Sequence, residues 1–143
     1  MVYRRRVLIS NQNVQAMQSL YDGFGPLAHG GDVRSYVAAH YNPDCEYHPV
    51  EEEEPVRGHE GMVGWIQRWF EAWDEMDEVL NEILEPQNDV VITTVTIRGR
   101  GAASDVHVAQ RFFHVCDMRN GKVLRMREYL ERDQALEAAG FSE

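Results

Sequence analysis

The sequence predicts an α+β domain in which helices come first and a curved antiparallel sheet follows. Two observations carry this. Apolar residues recur at three- and four-residue steps through the first half of the chain, and after Pro86 the period drops to two. A third is the Arg119-Asn120-Gly121 turn between two alternating runs, the short connection that antiparallel strands favour.

From Asn11, the residues Val14, Met17, Leu20, Tyr21 and Phe24 lie on one helical face, with Ser10 or Asn11 as a cap. Gly23, Gly25 and Pro26 are expected to break that helix. Asp32 can cap a second helix carrying Val33, Tyr36, Val37 and His40, which Asn42-Pro43 ends. Cys45 to Pro49 alternates as a short strand, and Val50 to Arg57 reads as a loop whose four glutamates face solvent. The strongest periodic signal is Met62, Ile66, Trp69, Trp73, Met76 and Leu80, with Trp65 and Phe70 beside it, so one long helix is expected through Leu80. Val90 to Arg98, Val106 to Met118 and Lys122 to Leu130 read as three long strands, with Gly99 to Gly101 and Ser104 as a connecting turn. Asp133 is positioned to cap a last helix through Leu136 and Ala139, closed by Gly140.

The chain has 143 residues, of which 43% are hydrophobic and 10% aromatic, enough for one packed domain over residues 11–143 behind a short arm at 1–10. A net charge of −10 argues against nucleic acid and anionic membrane as partners, and the basic run Arg4-Arg5-Arg6 reads as a solvated tail. No run approaches the roughly 18 apolar residues that span a bilayer, and the arginines precede no hydrophobic signal segment, so a cytoplasmic location is expected. Cys45 and Cys116 lack metal or disulfide spacing and read as free, buried thiols. His40, His48 and His59 with Glu51 to Glu54 and Glu60 show no ligand spacing on a helix, so no metal and no other cofactor is expected. Phosphate loops and serine or cysteine nucleophile motifs are likewise missing.

The element order, with Leu20-Tyr21, Gly31-Asp32-Val33, Tyr41-Asn42-Pro43-Asp44, Tyr47-His48-Pro49, Arg57-Gly58-His59-Glu60-Gly61 and Asn120-Gly121-Lys122-Val123, resembles the SnoaL-like branch of the nuclear transport factor 2-like superfamily. The resemblance runs from about Val14 to Gly140. It implies a cone: a curved sheet wrapped around the long helix, with one pocket at the wide end. The superfamily holds polyketide cyclases, ketosteroid isomerase, limonene epoxide hydrolase, scytalone dehydratase and proteins without a reaction, so it specifies a fold more closely than a chemistry. The Phe24 to Gly31 loop is a couple of residues longer than is usual there and is expected to shape the pocket mouth.

The same resemblance supplies candidate roles. His48 falls where ketosteroid isomerase has its catalytic aspartate, which would make it a general base. His114 falls at or beside that enzyme's oxyanion-stabilising acid, and Tyr21 near its enolate-binding phenol. Neither the aspartates of that isomerase nor the Asp/Arg/Asp set of the epoxide hydrolase occurs here, so neither reaction transfers. From alternation, Gln110, Phe112, His114, Cys116 and Met118 share one face of their strand, and a slip of one residue would present Arg111 or Phe113 instead. Glu128 stands on an apolar face with Leu124, Met126 and Leu130, and such a carboxylate needs a partner, for which His114 is the natural candidate. A salt bridge from Glu128 to an arginine is the alternative.

The resulting expectation is a cofactor-independent pocket protein that moves a proton on a hydrophobic small molecule, as an isomerase, cyclase, dehydratase or hydrolase. His48, His114, Glu128 and Tyr21 would carry the chemistry, and Trp65, Trp69, Phe70, Trp73, Gln110, Phe112 and Met126 would hold the ligand. A non-catalytic carrier or interaction module is the competing class. A homodimer through the convex face is also expected, on the ground that Val95, Ile97, Phe113, Val115 and Tyr129 point outward, with Arg111, Arg125 and Arg127 for cross-contacts.

Overall fold

A computed structural model describes residues 11–104 and 106–140. The arm with Arg4-Arg5-Arg6 lies outside them. The elements are α1 (Asn11–Leu27), α2 (Val33–His40), β1 (Tyr41–His48), β2 (Val56–Arg57), α3 (Gly58–Glu71), β3 (Trp73–Gln87), β4 (Val90–Gly101), β5 (His107–Arg119), β6 (Lys122–Tyr129) and α4 (Arg132–Ala138). They build the expected α+β architecture, a curved, unclosed six-stranded sheet in the order β2-β1-β6-β5-β4-β3 with helices against its concave face.

Local chemistry accounts for most boundaries. The Asp32 carboxylate accepts the Ser35 N–H at 3.1 Å and caps α2. Asn120 and Gly121 both take positive φ, 53° and 76°, which lets β5 and β6 pair through a two-residue turn. Pro26 does not break α1, which runs through Gly23 and Gly25 to Leu27. In the last turn a proline costs only one backbone bond, and the chain leaves through Ala28 to Gly30. Glu131, not Asp133, is the N-cap of α4, and Asp133 sits in its first turn.

The largest departure is β3. The stripe from Met62 to Leu80 is not one helix: α3 ends at Glu71, and Trp73–Gln87 forms a strand paired antiparallel along β4. The steps of three and four continued past Trp73 by coincidence, whereas Met76, Glu78 and Leu80 also alternate with the exposed Asp77 and Val79. Gly99 to Gly101 accordingly belongs to β4, and the turn follows at residues 102–104. The sheet is also mixed, because β1 runs parallel to β6.

The main core lies between the concave face and α1, α2 and α3. Met17, Val37, Ile66, Val91, Val95, Cys45 and Cys116 are fully buried there. Both cysteines are free. A second cluster on the convex face joins Ile92, Phe113 and Val115 to Ala135, Leu136 and Ala139 of α4. This revises the outward apolar surface expected for a homodimer. Val95 and Ile97 point inward, and Phe113 and Val115 are covered by the chain's own C-terminal helix. Among the described residues no helix is long and apolar enough to cross a membrane.

Gly99 tests the placement of β3. A Cβ built there would lie 2.6 Å from Trp73 Cε3 and 2.8 Å from the Glu75 carbonyl oxygen, so the indole and strand edge occupy the space of a side chain. Gly99→Ala should cost about 1–3 kcal/mol by overpacking, read as a lower Tm in thermal denaturation. An unchanged Tm would contradict the Trp73–β4 packing.

Candidate functional site

The interior cavity lies between α1, α3 and the concave face. The space between its atoms, open solvent at the opening included, is about 480 Å³. Tyr21, Tyr47, His114 and Glu128 make its polar end; Trp65, Trp69, Met62, Ile66, Ile97 and Met126 supply apolar wall. Among the described residues neither lysine nor arginine lines it.

Strand alternation decides which residues enter. On β5 the face carrying Phe112, His114 and Cys116 is concave, and His114 is 5% exposed. Register His114↔Glu128 between β5 and β6 places the two side chains next to each other on that face. On β1, Cys45 and Tyr47 point inward while Glu46 and His48 point outward.

His114 sits in a continuous hydrogen-bonded chain. Its Nε2 lies 2.9 Å from Glu128 Oε2, and its Nδ1 lies 2.7 Å from the Tyr21 hydroxyl. That hydroxyl is in turn 2.7 Å from Thr93 Oγ1. Glu128 is completed by the Tyr47 hydroxyl, which donates to Oε2 at 3.1 Å, and by the Val50 N–H, which donates to Oε1 at 3.1 Å. An ionised carboxylate only accepts, so Nε2 carries a hydrogen. With a neutral imidazole, Nδ1 then accepts the Tyr21 O–H, and Thr93 donates to the phenol oxygen.

Electrostatics sharpen the roles. Burial works to raise the Glu128 pKa, but the bonds and charge from His114, with those from Val50 and Tyr47, hold it below the usual carboxylate range. Burial pushes the Tyr21 phenol well above its ordinary value, so it stays a neutral donor. Tyr47 is raised in the same way, by burial first and by the Glu128 charge second.

The expected site residues divide. Tyr21, His114 and Glu128 come together, and Trp65, Trp69 and Met126 line the same cavity. His48 does not. Its Nε2 lies 2.6 Å from Glu46 Oε1, its side chain is 39% exposed, and Glu46 also pairs with Arg57. The strand period turns His48 to the outer face and gives the inward position to Tyr47. Phe70 is also outside the lining and packs on Phe24, with ring centroids 5.0 Å apart. Trp73, Gln110 and Phe112 border a second pocket, which shares Trp69 and Ile97 with the cavity.

Among the residues that sequence reasoning passed over, Tyr47 and Glu78 bear most on the chemistry. Tyr47 was legible from its alternation with Cys45. Glu78 carried the signal that singled out Glu128, a carboxylate on an apolar face, here between Met76 and Leu80. Assigning β3 to a helix hid it. The Glu78 carboxyl lines the cavity without a hydrogen-bond partner, and its pKa is pushed up to about 7, by burial first and by the Glu128 and Asp77 charges, against the opposing pull of His114. Among the described residues no group of three or more His, Cys, Asp or Glu is arranged to hold a metal ion.

Glu78 gives a prediction independent of any ligand. A carboxyl whose folded pKa exceeds its unfolded value binds more protons in the folded state between the two, so stability falls as pH rises through that window. For a rise from 4.5 to about 7 the full loss is about 3 kcal/mol. Relative to wild type, Glu78→Gln should therefore gain in Tm as pH goes from about 5 to about 8. A Tm difference independent of pH would contradict the environment assigned to Glu78.

A model of the SnoaL-like domain matches residues 10–126. Among curated proteins none matches the chain. Solved structures share the fold. TerC, crystallised with polyporic acid, is 22% identical with a TM-score of 0.69, over 90% of this chain and 98% of that one. A putative SnoaL-like polyketide cyclase from Jannaschia sp. CCS1 is 17% identical with a TM-score of 0.72, over 94% and 96%. An LEH-like epoxide hydrolase from M. tuberculosis is 14% identical with a TM-score of 0.67, over 91% and 90%.

Proposed function

The chain belongs to the SnoaL-like domain family, and from that premise we propose that it binds an apolar, oxygen-bearing small molecule in the interior cavity and catalyses proton transfer on it. One observation carries this reading: the Tyr21–His114–Glu128 chain ends in a cavity otherwise walled mainly by aromatic and aliphatic side chains. A buried polar chain of this kind is costly unless satisfied, and this one is satisfied throughout.

The chain has two settings. With His114 neutral, the Tyr21 proton is given to Nδ1. With His114 doubly protonated and paired to Glu128, Nδ1–H donates to the Tyr21 oxygen and frees the phenol proton for a ligand oxygen. In that setting a carbonyl gaining negative charge meets a neutral, preorganised donor backed by an imidazolium–carboxylate pair, the arrangement that stabilises an enolate or alkoxide. Tyr21 and His114 thus bind and polarise the oxygen, and Glu128 with Tyr47 orients the imidazole. The isomerase, cyclase, dehydratase and hydrolase classes all contain such a step.

The test uses a matched pair, 2-tetralone and the hydrocarbon tetralin, titrated against intrinsic tryptophan fluorescence, since Trp65 and Trp69 line the cavity. Wild type should bind both, and Tyr21→Phe should weaken 2-tetralone by about 10-fold while leaving tetralin unchanged. Equal effects on both, or no binding of either, would contradict the reading. Binding that survives in every variant, with no proton transfer by wild type, would make the protein a carrier. A homodimer through the sheet does not enter this reading, because of its expected apolar surface Val95 and Ile97 point inward and Phe113 and Val115 lie under α4.

A further inference from the structure

We propose that Glu78, entering from β3, is the catalytic base that takes a proton from the carbon beside the ligand's carbonyl and returns it. This rests on the proton-transfer reading of the same cavity. The argument is one of availability. Both nitrogens of His114 are engaged, by Tyr21 and Glu128. Both oxygens of Glu128 are engaged, by His114, Tyr47 and the Val50 N–H. His48 faces away. Among the described residues, Glu78 alone of the carboxyls lining the cavity keeps its oxygens without a hydrogen-bond partner. Its register runs Glu78↔Ile97↔Gln110, so it stands two strands across from β5 and four residues along from His114, on the same concave face. A flat molecule lying between them presents its oxygen to Tyr21 and a neighbouring C–H to Glu78.

The step balances without a co-reactant. A Glu78 oxygen takes the proton, and the C–H electron pair becomes the C=C bond of the enolate. The carbonyl π pair moves to oxygen, which the Tyr21 O–H holds, Nδ1 of His114 having taken a proton from solvent and turned to donate to the Tyr21 oxygen. Return of the same proton to carbon restores the carboxylate; return to a different carbon of a conjugated ligand shifts its double bond. The ionised form does the work, and its proton affinity answers to His114 on β5, Glu128 on β6 and adjacent Asp77. The phenols of Tyr21 on α1, Tyr36 on α2 and Tyr41 on β1 also face it and remain neutral.

The experiment follows the loss of the C1 protons of 2-tetralone in deuterated buffer by NMR, with the full chain. Wild type should exchange them about 100-fold faster than an equal concentration of acetate, with a rate that rises with pH and levels off above about 7. Glu78→Gln should lose about 100-fold while still quenching tryptophan fluorescence with 2-tetralone, and Glu78→Asp should recover part of the rate. Exchange by Glu78→Gln at the wild-type rate, or binding by wild type without exchange, overturns the assignment of Glu78 and leaves the binding reading intact. If 2-tetralone does not bind, it is that reading that fails, and Glu78 is then tested by dicyclohexylcarbodiimide. This reagent adds to protonated carboxyls in apolar surroundings, so peptide mass mapping should find the adduct at Glu78 and find it declining as pH rises through about 7. An unlabelled Glu78 overturns the proposal.

Discussion

The site depends on one interaction, the contact between His114 and Glu128 on adjacent strands of the concave face. Their side chains are 6% and 10% exposed. Removing one member of such a pair leaves the other buried and uncompensated, at a cost of about 3–5 kcal/mol. The pair also penalises register error. A slip of one residue between β5 and β6 would turn one member to the convex face, where Phe113 and Val115 are packed under α4. The polar chain and the two apolar clusters therefore specify the same strand pairing.

From that pair the rest of the polar end follows. Tyr21 on α1 reaches Nδ1, so the first helix is tied to the middle of the sheet, and Thr93 on β4 completes the phenol. Tyr47 on β1 and the Val50 N–H close around Glu128, so the strand that pairs parallel with β6 is tied to it by side chains as well as backbone. Trp65 meets Tyr47 edge to face with centroids 5.0 Å apart and stacks on Trp69 at 5.3 Å, which carries the aromatic wall from the polar end to the mouth. Glu78 stands apart from this network. Its ionisation is costly because no hydrogen bond supports it and the pull of His114 only partly offsets its burial, and that cost is the property a base needs in order to hold a proton near neutral pH.

Much of this was legible in the sequence, and the failures have specific physical causes. The α+β class, α1, α2 and the Asn120-Gly121 turn followed from periodicity and turn chemistry, whereas alternation alone left the inward face of β5 open and the family resemblance pointed to the His114 side. The pairing of His114 with Glu128 followed from the cost of a carboxylate on an apolar face. β3 was missed because acidic residues fill its outer positions and its apolar ones continue a helical stripe, so only pairing with β4 separates the two readings. His48 occupies a family position for a catalytic group, but strand alternation turns it outward and puts Tyr47 inside. The convex face looked too apolar for a monomer because α4 was not yet folded over it. In each case the missing information was tertiary: which strand lies alongside, and what covers a face.

The state of the His114 imidazole tests the central claim most directly, and nitrogen-15 NMR of labelled protein reads it. The account predicts that the neutral ring carries its hydrogen on Nε2, held by Glu128, and leaves Nδ1 bare to accept from Tyr21. Binding of 2-tetralone should then bring Nδ1 into the protonated range. Hydrogen on Nδ1 in the free protein's neutral ring, or an Nδ1 resonance that does not move when the ketone binds, would contradict it.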